Sequence, residues 1–260
     1  MAKFYKFMLV LLCSALPLQA ITVQEILDGF AERLSIPVLA GTFKVKLIAK
    51  NGDEREIVAR AYQKIVSEDQ NNRLFVFDFP PTVRGTSLLL HSYYDGRSNN
   101  MWIYLPAVRR VKRIALESSG GGYFMGSDFT YRDLINIDFT KMNYELTEEK
   151  TIDGIDYYVV KAWGKTPEIQ QDNGYSYLLS YYRKDNFFLM RRDYFDFDEK
   201  LLKVYQVEDF IVLGTSIYPT NISMSNVQNG HRSLLEVTDV STDDIPDRYF
   251  TTRYLKDNQR

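Results

Sequence analysis

Apolar positions in this chain recur in two rhythms, helical near the start and strand-like almost everywhere after it. Thr22-Val23-Gln24-Glu25 has the form of a capping box, in which Glu25 reaches back to the amide of the cap residue. Val23, Ile26, Leu27, Phe30 and Leu34 follow at helical spacing, which predicts an amphipathic helix closed off by Pro37 and Gly41. From Thr42 the period becomes two. Phe43, Val45 and Leu47 alternate with Lys44, Lys46 and Ile48, and Asn51-Gly52-Asp53 signals a hairpin turn into a strand over 57–66. Asn71-Asn72 predicts another turn, leading into 74–79. Further strands are predicted over 86–93, 101–105, 108–114, 143–149, 157–163, 175–183, 187–197, 201–213, 219–226 and 233–240. Asp95-Gly96, Asp153-Gly154, Lys184-Asp185-Asn186, Asp198-Glu199 and Asn229-Gly230 punctuate them.

The pattern shows no βαβ rhythm, fixed-period repeat, low-complexity stretch or linker. It predicts one mainly β domain over 21–260, with few helices and a large curved antiparallel sheet. Its strands are rarely polar on their second face. Phe75, Phe77 and Phe79 oppose Leu74 and Val76, while Phe188, Met190 and Tyr194 oppose Leu189 and Phe195. Such a sheet must curl or be covered. The covering material is limited to the first helix, a segment near 131–137 and the C-terminal 246–255. Two outcomes fit that shortage: an incompletely filled interior, or a core packed solid with aromatics.

The start of the chain bears on compartment. Lys3 and Lys6 precede an apolar run over 7–16, and Pro17-Leu18-Gln19-Ala20 makes a small-residue cleavage site, so 1–20 reads as a cleavable export signal. The run is shorter than the ~20 residues that span a bilayer. Cys13 follows the bulky Leu12 inside the run, which argues against lipidation there. Without 1–20 the chain has no cysteine, so its stability rests on its core rather than on disulfides. Formal charge moves from 32 − 34 = −2 to 30 − 34 = −4, a balance that excludes a general nucleic-acid binder.

Enzymatic chemistry finds little support. Gly120-Gly121-Gly122 with Gly126 lacks the lysine and long helix of a phosphate loop. His91 and His231 have no metal-ligand spacing, and no nucleophile elbow accompanies His91 and Asp95. Asp128 and Asp133 flank a helix start, where carboxylates cap free amides. No catalytic residue, metal site or cofactor is expected. Asn221-Ile222-Ser223 matches a glycosylation triplet, which has meaning only where a cell glycosylates exported chains.

The densest information lies in 101–134. An aromatic strand, Met101-Trp102-Ile103-Tyr104-Leu105-Pro106, meets the cationic Arg109, Arg110, Lys112 and Arg113, and then a glycine-rich loop tipped with Tyr123, Phe124 and Met125. The Trp102 to Pro106 strand, Arg109-Arg110 and the run from Phe124 to Asp133 resemble the LolA-like family of outer-membrane lipoprotein-sorting proteins. Arg84-Gly85-Thr86 and the run from Tyr249 to Leu255 fit the same family. The resemblance covers most of the chain beyond the export signal, although the chain is longer than LolA itself.

It implies an open half-barrel of antiparallel strands covered by helices, as in LolA and LolB, with an interior that holds lipid or lipoprotein acyl chains. It further implies a periplasmic carrier or chaperone working toward the outer membrane with transient membrane contact, and an RND-type inner-membrane exporter as a possible partner. The alternative is an accessory subunit that docks to such an exporter without carrying cargo. The expected lining is Phe43, Val45, Leu47, Phe75, Phe77, Leu88, Leu90, Trp102, Tyr104, Phe195, Ile222 and Met224; a one-residue error of register would turn any of these strands over. Arg109, Arg110, Lys112 and Arg113 either meet anionic headgroups or a partner, or guard a strand edge. Tyr123, Phe124 and Met125 either fold onto the cavity mouth or reach out to a membrane.

Overall fold

The computed structural model describes residues 20–114, 122–135 and 139–257. The proposed export signal and Gly120-Gly121 therefore lie outside the described residues, apart from Ala20 and Gly122. Helix α1 (Val23–Arg33) starts at the predicted capping box: Thr22 Oγ1 accepts from the Glu25 amide and Glu25 accepts from the Thr22 amide at 2.7 Å. Ile26, Leu27 and Phe30 form its buried stripe. Gly29 stands within the helix where the Phe187 ring occupies the place of a side chain, 2.3 Å from where a Cβ would stand.

Thirteen strands form one antiparallel sheet: β1 (Val38–Ile48), β2 (Glu54–Ser67), β3 (Gln70–Phe79), β4 (Ser87–Tyr93), β5 (Asn100–Leu105), β6 (Arg110–Ile114), β7 (Met142–Ile152), β8 (Ile155–Gly164), β9 (Tyr177–Arg183), β10 (Leu189–Phe195), β11 (Leu201–Leu213), β12 (Ser216–Asn226) and β13 (His231–Ser241). Their order is β6-β5-β4-β3-β2-β1-β13-β12-β11-β10-β9-β8-β7. The first six strands meander outward to one edge, and the last seven start at the opposite edge and meander back to pair with β1. The sheet does not close into a barrel. Most turns are as the residues demand; Asp153 (φ 51°) and Gly154 (φ 79°) make the left-handed pair that suits a two-residue hairpin.

This topology has a geometric result. β6 and β7 are the two outermost strands, so the chain between them must cross the whole sheet. Twelve strand spacings of ~4.8 Å make an arc of roughly 58 Å. The described part of that connection, 122–135, packs over the inner face on β1 to β5. Helix α1 covers the inner face of the other half, against Val160, Tyr182 and Leu189. The C-terminal turn and helix α3 (Thr252–Asp257) cover the outer face of the first half, where Ile245, Phe250 and Leu255 pack on Leu74, Val76, Leu89 and Tyr104.

Several expectations are corrected. Asn71 and Asn72 do not turn the chain; they are buried inside β3, paired with both neighbouring strands, and the turn falls at Glu68-Asp69. Gly41 does not close α1, which ends at Arg33; it sits in β1, where a Cβ would come within 3.1 Å of the Thr238 carbonyl. The helix start expected around Asp128 and Asp133 is a single 3-10 turn, Arg132–Leu134. A short helix, α2 (Pro167–Asn173), joins β8 to β9 where none was expected, with Thr166 as cap and Gly174 as left-handed stop.

Candidate functional site

An apolar cavity of about 270 Å³ lies on the inner face between the two covers. Its walls come from Phe43 and Val45 of β1, Phe75 of β3, Ile222 of β12, and Leu235 and Val237 of β13. Leu34 closes it from the end of α1, and Phe124, Phe129 and Leu134 from the crossover segment. Alternation puts these strand residues on one face, so a single run of inward positions builds the wall. Polar groups are few: Tyr62, Gln63, Arg73, Asp133, Tyr205 and Tyr218. Burial pushes the Tyr205 phenol up to about 12 and raises that of Tyr218 as well, so both hydroxyls stay protonated and able to donate.

The crossover segment is seated by one aromatic and by polar ties. Phe124 meets Phe77 at 5.8 Å, Phe75 at 6.3 Å and Tyr131 at 5.6 Å between ring centroids. Lys203 of β11 is enclosed; its Nζ binds Asp133 Oδ2 at 2.6 Å and stands 4.6 Å from the Tyr194 ring centroid. Ser233 of β13, fully buried, donates to Asp128 Oδ2 at 2.8 Å and accepts from the Asp128 amide at 2.9 Å. Arg73 of β3 donates to the Leu134 carbonyl at 2.8 Å and to Gln63 Oε1 at 2.9 Å. Burial raises the Asp128 carboxyl above its ordinary range, and the Ser233 hydroxyl offsets part of that rise.

The residues singled out in the sequence divide among several places. Phe43, Val45, Phe75 and Ile222 line the cavity. Leu47, Phe77, Leu88 and Leu90 share its face but pack beneath Phe124 and Ile135. Met224 is on the inner face too, fully buried against Tyr194 and Leu178. Trp102 and Tyr104 do not line the cavity. They face outward beneath the C-terminal helix, because β5 pairs with β4 in the register that turns Met101 and Ile103 inward. Phe195 does not line it either: Tyr194, its neighbour, takes the inward position, and Phe195 stacks on Tyr177 at 4.4 Å.

At the loop tip, Phe124 is buried in the inner cluster and Met125 packs against it, while Tyr123 is exposed. Arg109 holds a left-handed turn (φ 48°), and Arg110, Lys112 and Arg113 stand exposed on β6, the open edge of the sheet. His91 bonds the Phe250 carbonyl at 3.0 Å, and burial lowers its pKa; Asp95 is held by Arg97. A second, polar cleft of about 470 Å³ lies beside the β1–β2 turn, with Asp53, Arg55, Asp128, His231 and Arg232 on its walls. Among the described residues no three histidine, aspartate or glutamate side chains gather as metal ligands would.

Sequence reasoning missed Lys203, Arg73, Tyr205, Tyr218 and Ser233. A signal existed for two of them. Arg73 shares the inward parity of Phe75 and Phe77, and Lys203 that of Tyr205 and Val207, so each is a cation in an apolar register.

A structure of a domain described as an outer membrane lipoprotein-sorting protein, from Vibrio parahaemolyticus, is 25% identical with a TM-score of 0.82, over 89% of this chain and 97% of that one. A DUF1329 family protein from Desulfovibrio piger is 24% identical with a TM-score of 0.81, over 89% of this chain and 96% of that one. A LolA superfamily protein from Nitrosomonas europaea, 22% identical, gives a TM-score of 0.69 over 90% and 100%. No curated protein matches the chain. The model of a family described as "-like: Uncharacterized protein" matches residues 69–257, well over half of the sequence. With an open antiparallel half-barrel, a covered inner face and these matches, the chain belongs to that family and has the LolA-like fold.

Proposed function

We propose that this protein is a periplasmic carrier that shields lipid acyl chains, free or on a lipoprotein, in the inner-face cavity during transfer toward the outer membrane. Residues 1–20 act as its cleaved export signal in this reading. The observation that carries it is an incompletely filled apolar cavity beneath a cover held by Lys203, Ser233 and Arg73. Well-packed proteins of this size leave little such space. Leaving water is worth ~0.8 kcal/mol per methylene, so a chain of about fifteen represents ~12 kcal/mol. A carrier need only match that environment and then weaken it. Loosening the polar ties of 122–135 provides the second step. The likeness to the protein from Vibrio parahaemolyticus described as lipoprotein-sorting supports the same reading.

The test is lipid analysis by mass spectrometry of protein purified from periplasm. Co-purifying acyl species that disappear on Phe75→Asp and persist on Trp102→Asp, a change on the outer face, are the expected result. Repeated preparations without lipid would overturn carriage. They would favour the second reading, a non-carrying subunit that docks to an RND-type inner-membrane exporter. The exposed basic edge of β6 supports that alternative, since unpaired strand edges are ready interaction surfaces.

A further inference from the structure

Two turns bring apolar side chains into water at one corner of the sheet. The β3–β4 and β5–β6 turns stand at the same end, because Val76 pairs with Ser87, Ser87 with Tyr104 and Leu105 with Arg110. Two strand spacings, ~10 Å, separate β3 from β5. At these tips Phe79 is 41% exposed and Val108 54% exposed. Pro106–Val108 is a single 3-10 turn stopped by the left-handed Arg109, so Val108 stands beyond the last strand pair.

Cations surround these tips and carboxylates do not. Residues 79–86 and 105–114 carry Arg84, Arg109, Arg110, Lys112 and Arg113, with no aspartate or glutamate. The nearest acid in sequence, Asp78, is held by Arg60 at 2.9 Å. Arg84 donates to the Asp78 carbonyl and Arg113 to Asn100. Among the described residues Arg109, Arg110 and Lys112 have no side-chain partner, and all three are exposed. The far half of the same rim differs. Phe197 and Val227 are exposed there too, but Asp196, Asp198 and Glu199 crowd the Phe197 turn. Apolar tips among free cations match an anionic bilayer, where headgroups meet the charges and the tips enter the layer beneath. A strand added to the open edge would instead run along β6 and leave Phe79, well inside that edge, in water.

We infer that this corner is the face by which the protein sits on a bilayer containing anionic lipid, with Phe79 and Val108 inserted and Arg84, Arg109, Arg110 and Lys112 on lipid phosphates. Val83, in the β3–β4 turn, packs in the same inner cluster as Phe124 and Met125, so docking here brings the tip of the crossover cover close to the membrane. The contact uses the outer rim and does not depend on what the cavity holds.

The test is flotation of protein purified from periplasm with two kinds of vesicle, phosphatidylcholine alone and an equal mixture with phosphatidylglycerol. The mixed vesicles are expected to carry about ten-fold more protein at low salt. Most of that difference should vanish at ~1 M salt, where screening acts within about 3 Å. Arg110→Glu combined with Lys112→Glu is expected to abolish the preference, and Val108→Asp to weaken binding to the mixed vesicles several-fold. Phe197→Asp, on the acidic half of the rim, is expected to change neither. Equal binding to both vesicles, or a preference that survives the double charge reversal, overturns the inference. Binding to neither overturns it as well and assigns the corner to a protein partner. Should a variant not fold, the wild-type comparison of vesicles and salt decides by itself. Lipid in the cavity is measured separately, so this contact and carriage stand or fall apart.

Discussion

The two covers of the inner face differ in what chiefly holds them. Helix α1 meets β8 to β10 through Ile26, Leu27 and Phe30, with the Phe30 ring edge-on to Tyr182 at 5.2 Å; its cap hydrogen bonds are local, and Arg33 in its last turn adds bonds to the Asn186 and Thr215 carbonyls. The crossover segment inserts Phe124 and Met125, but long-range polar bonds to β3, β11 and β13 fix its position. Apolar contact is non-directional and survives small shifts, whereas a buried ion pair is held or lost as a unit. The first cover is thus a part of the core. The second is a fastening, and the cavity lies where the two meet.

Breaking the first cover should have the largest effect. Phe30→Ala removes a buried ring and is expected to cost about 4 kcal/mol, visible as one cooperative loss in denaturant unfolding. A loss confined to the cavity region, with the β8–β10 half intact, would contradict the description of α1 as core. Next comes Lys203→Met, which leaves Asp133 enclosed without its cation, at about 3 kcal/mol. Here hydrogen exchange should quicken selectively over 122–135, and the double variant with Asp133→Asn should recover most of the loss. Uniform exchange across the sheet would mean that the ion pair is ordinary core.

Smaller effects sharpen the contrast. Thr22→Ala removes the helix cap and should cost about 1 kcal/mol in a thermal melt while leaving ligand binding unchanged. The smallest concerns pH at Asp128. Its folded pKa is raised by burial, so its contribution to stability is full below the unfolded carboxylate pKa and is lost as pH rises through the folded value. Compared with Asp128→Asn, the wild type should therefore gain stability between pH 7 and pH 4 in urea titrations. A gap that moves the other way would show that Ser233, not burial, sets this carboxyl.

Much of the fold was legible because strand alternation is a local signal. The capping box at Thr22 and Glu25, the hairpin at Asp153-Gly154 and strand β11 over 201–213 all follow from near neighbours. Asn71 and Asn72 misled because pairing on both sides of β3 outweighs their turn preference. Helix α2 was missed for want of an apolar stripe: only Ile169 of it joins a core cluster, although Thr166-Pro167 and Gly174 mark its ends. The site was half legible. Parity gave Phe43, Val45 and Phe75, but the facing of β5 depends on its register with β4, which no single strand encodes. The partners Asp133–Lys203 and Asp128–Ser233 lie 70 and 105 residues apart, beyond any local pattern.

Residues 122–135 cover the cavity and belong to the one connection between β6 and β7, the two edge strands. It therefore behaves as a strap sewn at each end and not as a door on one hinge. Being joined at both ends, it cannot be shed. Re-fastening is an intramolecular event, governed by a local concentration that dilution of the protein does not change. A cargo that displaces Phe124 thus competes with a tethered rival always within reach, and that competition gives loading its built-in reversal.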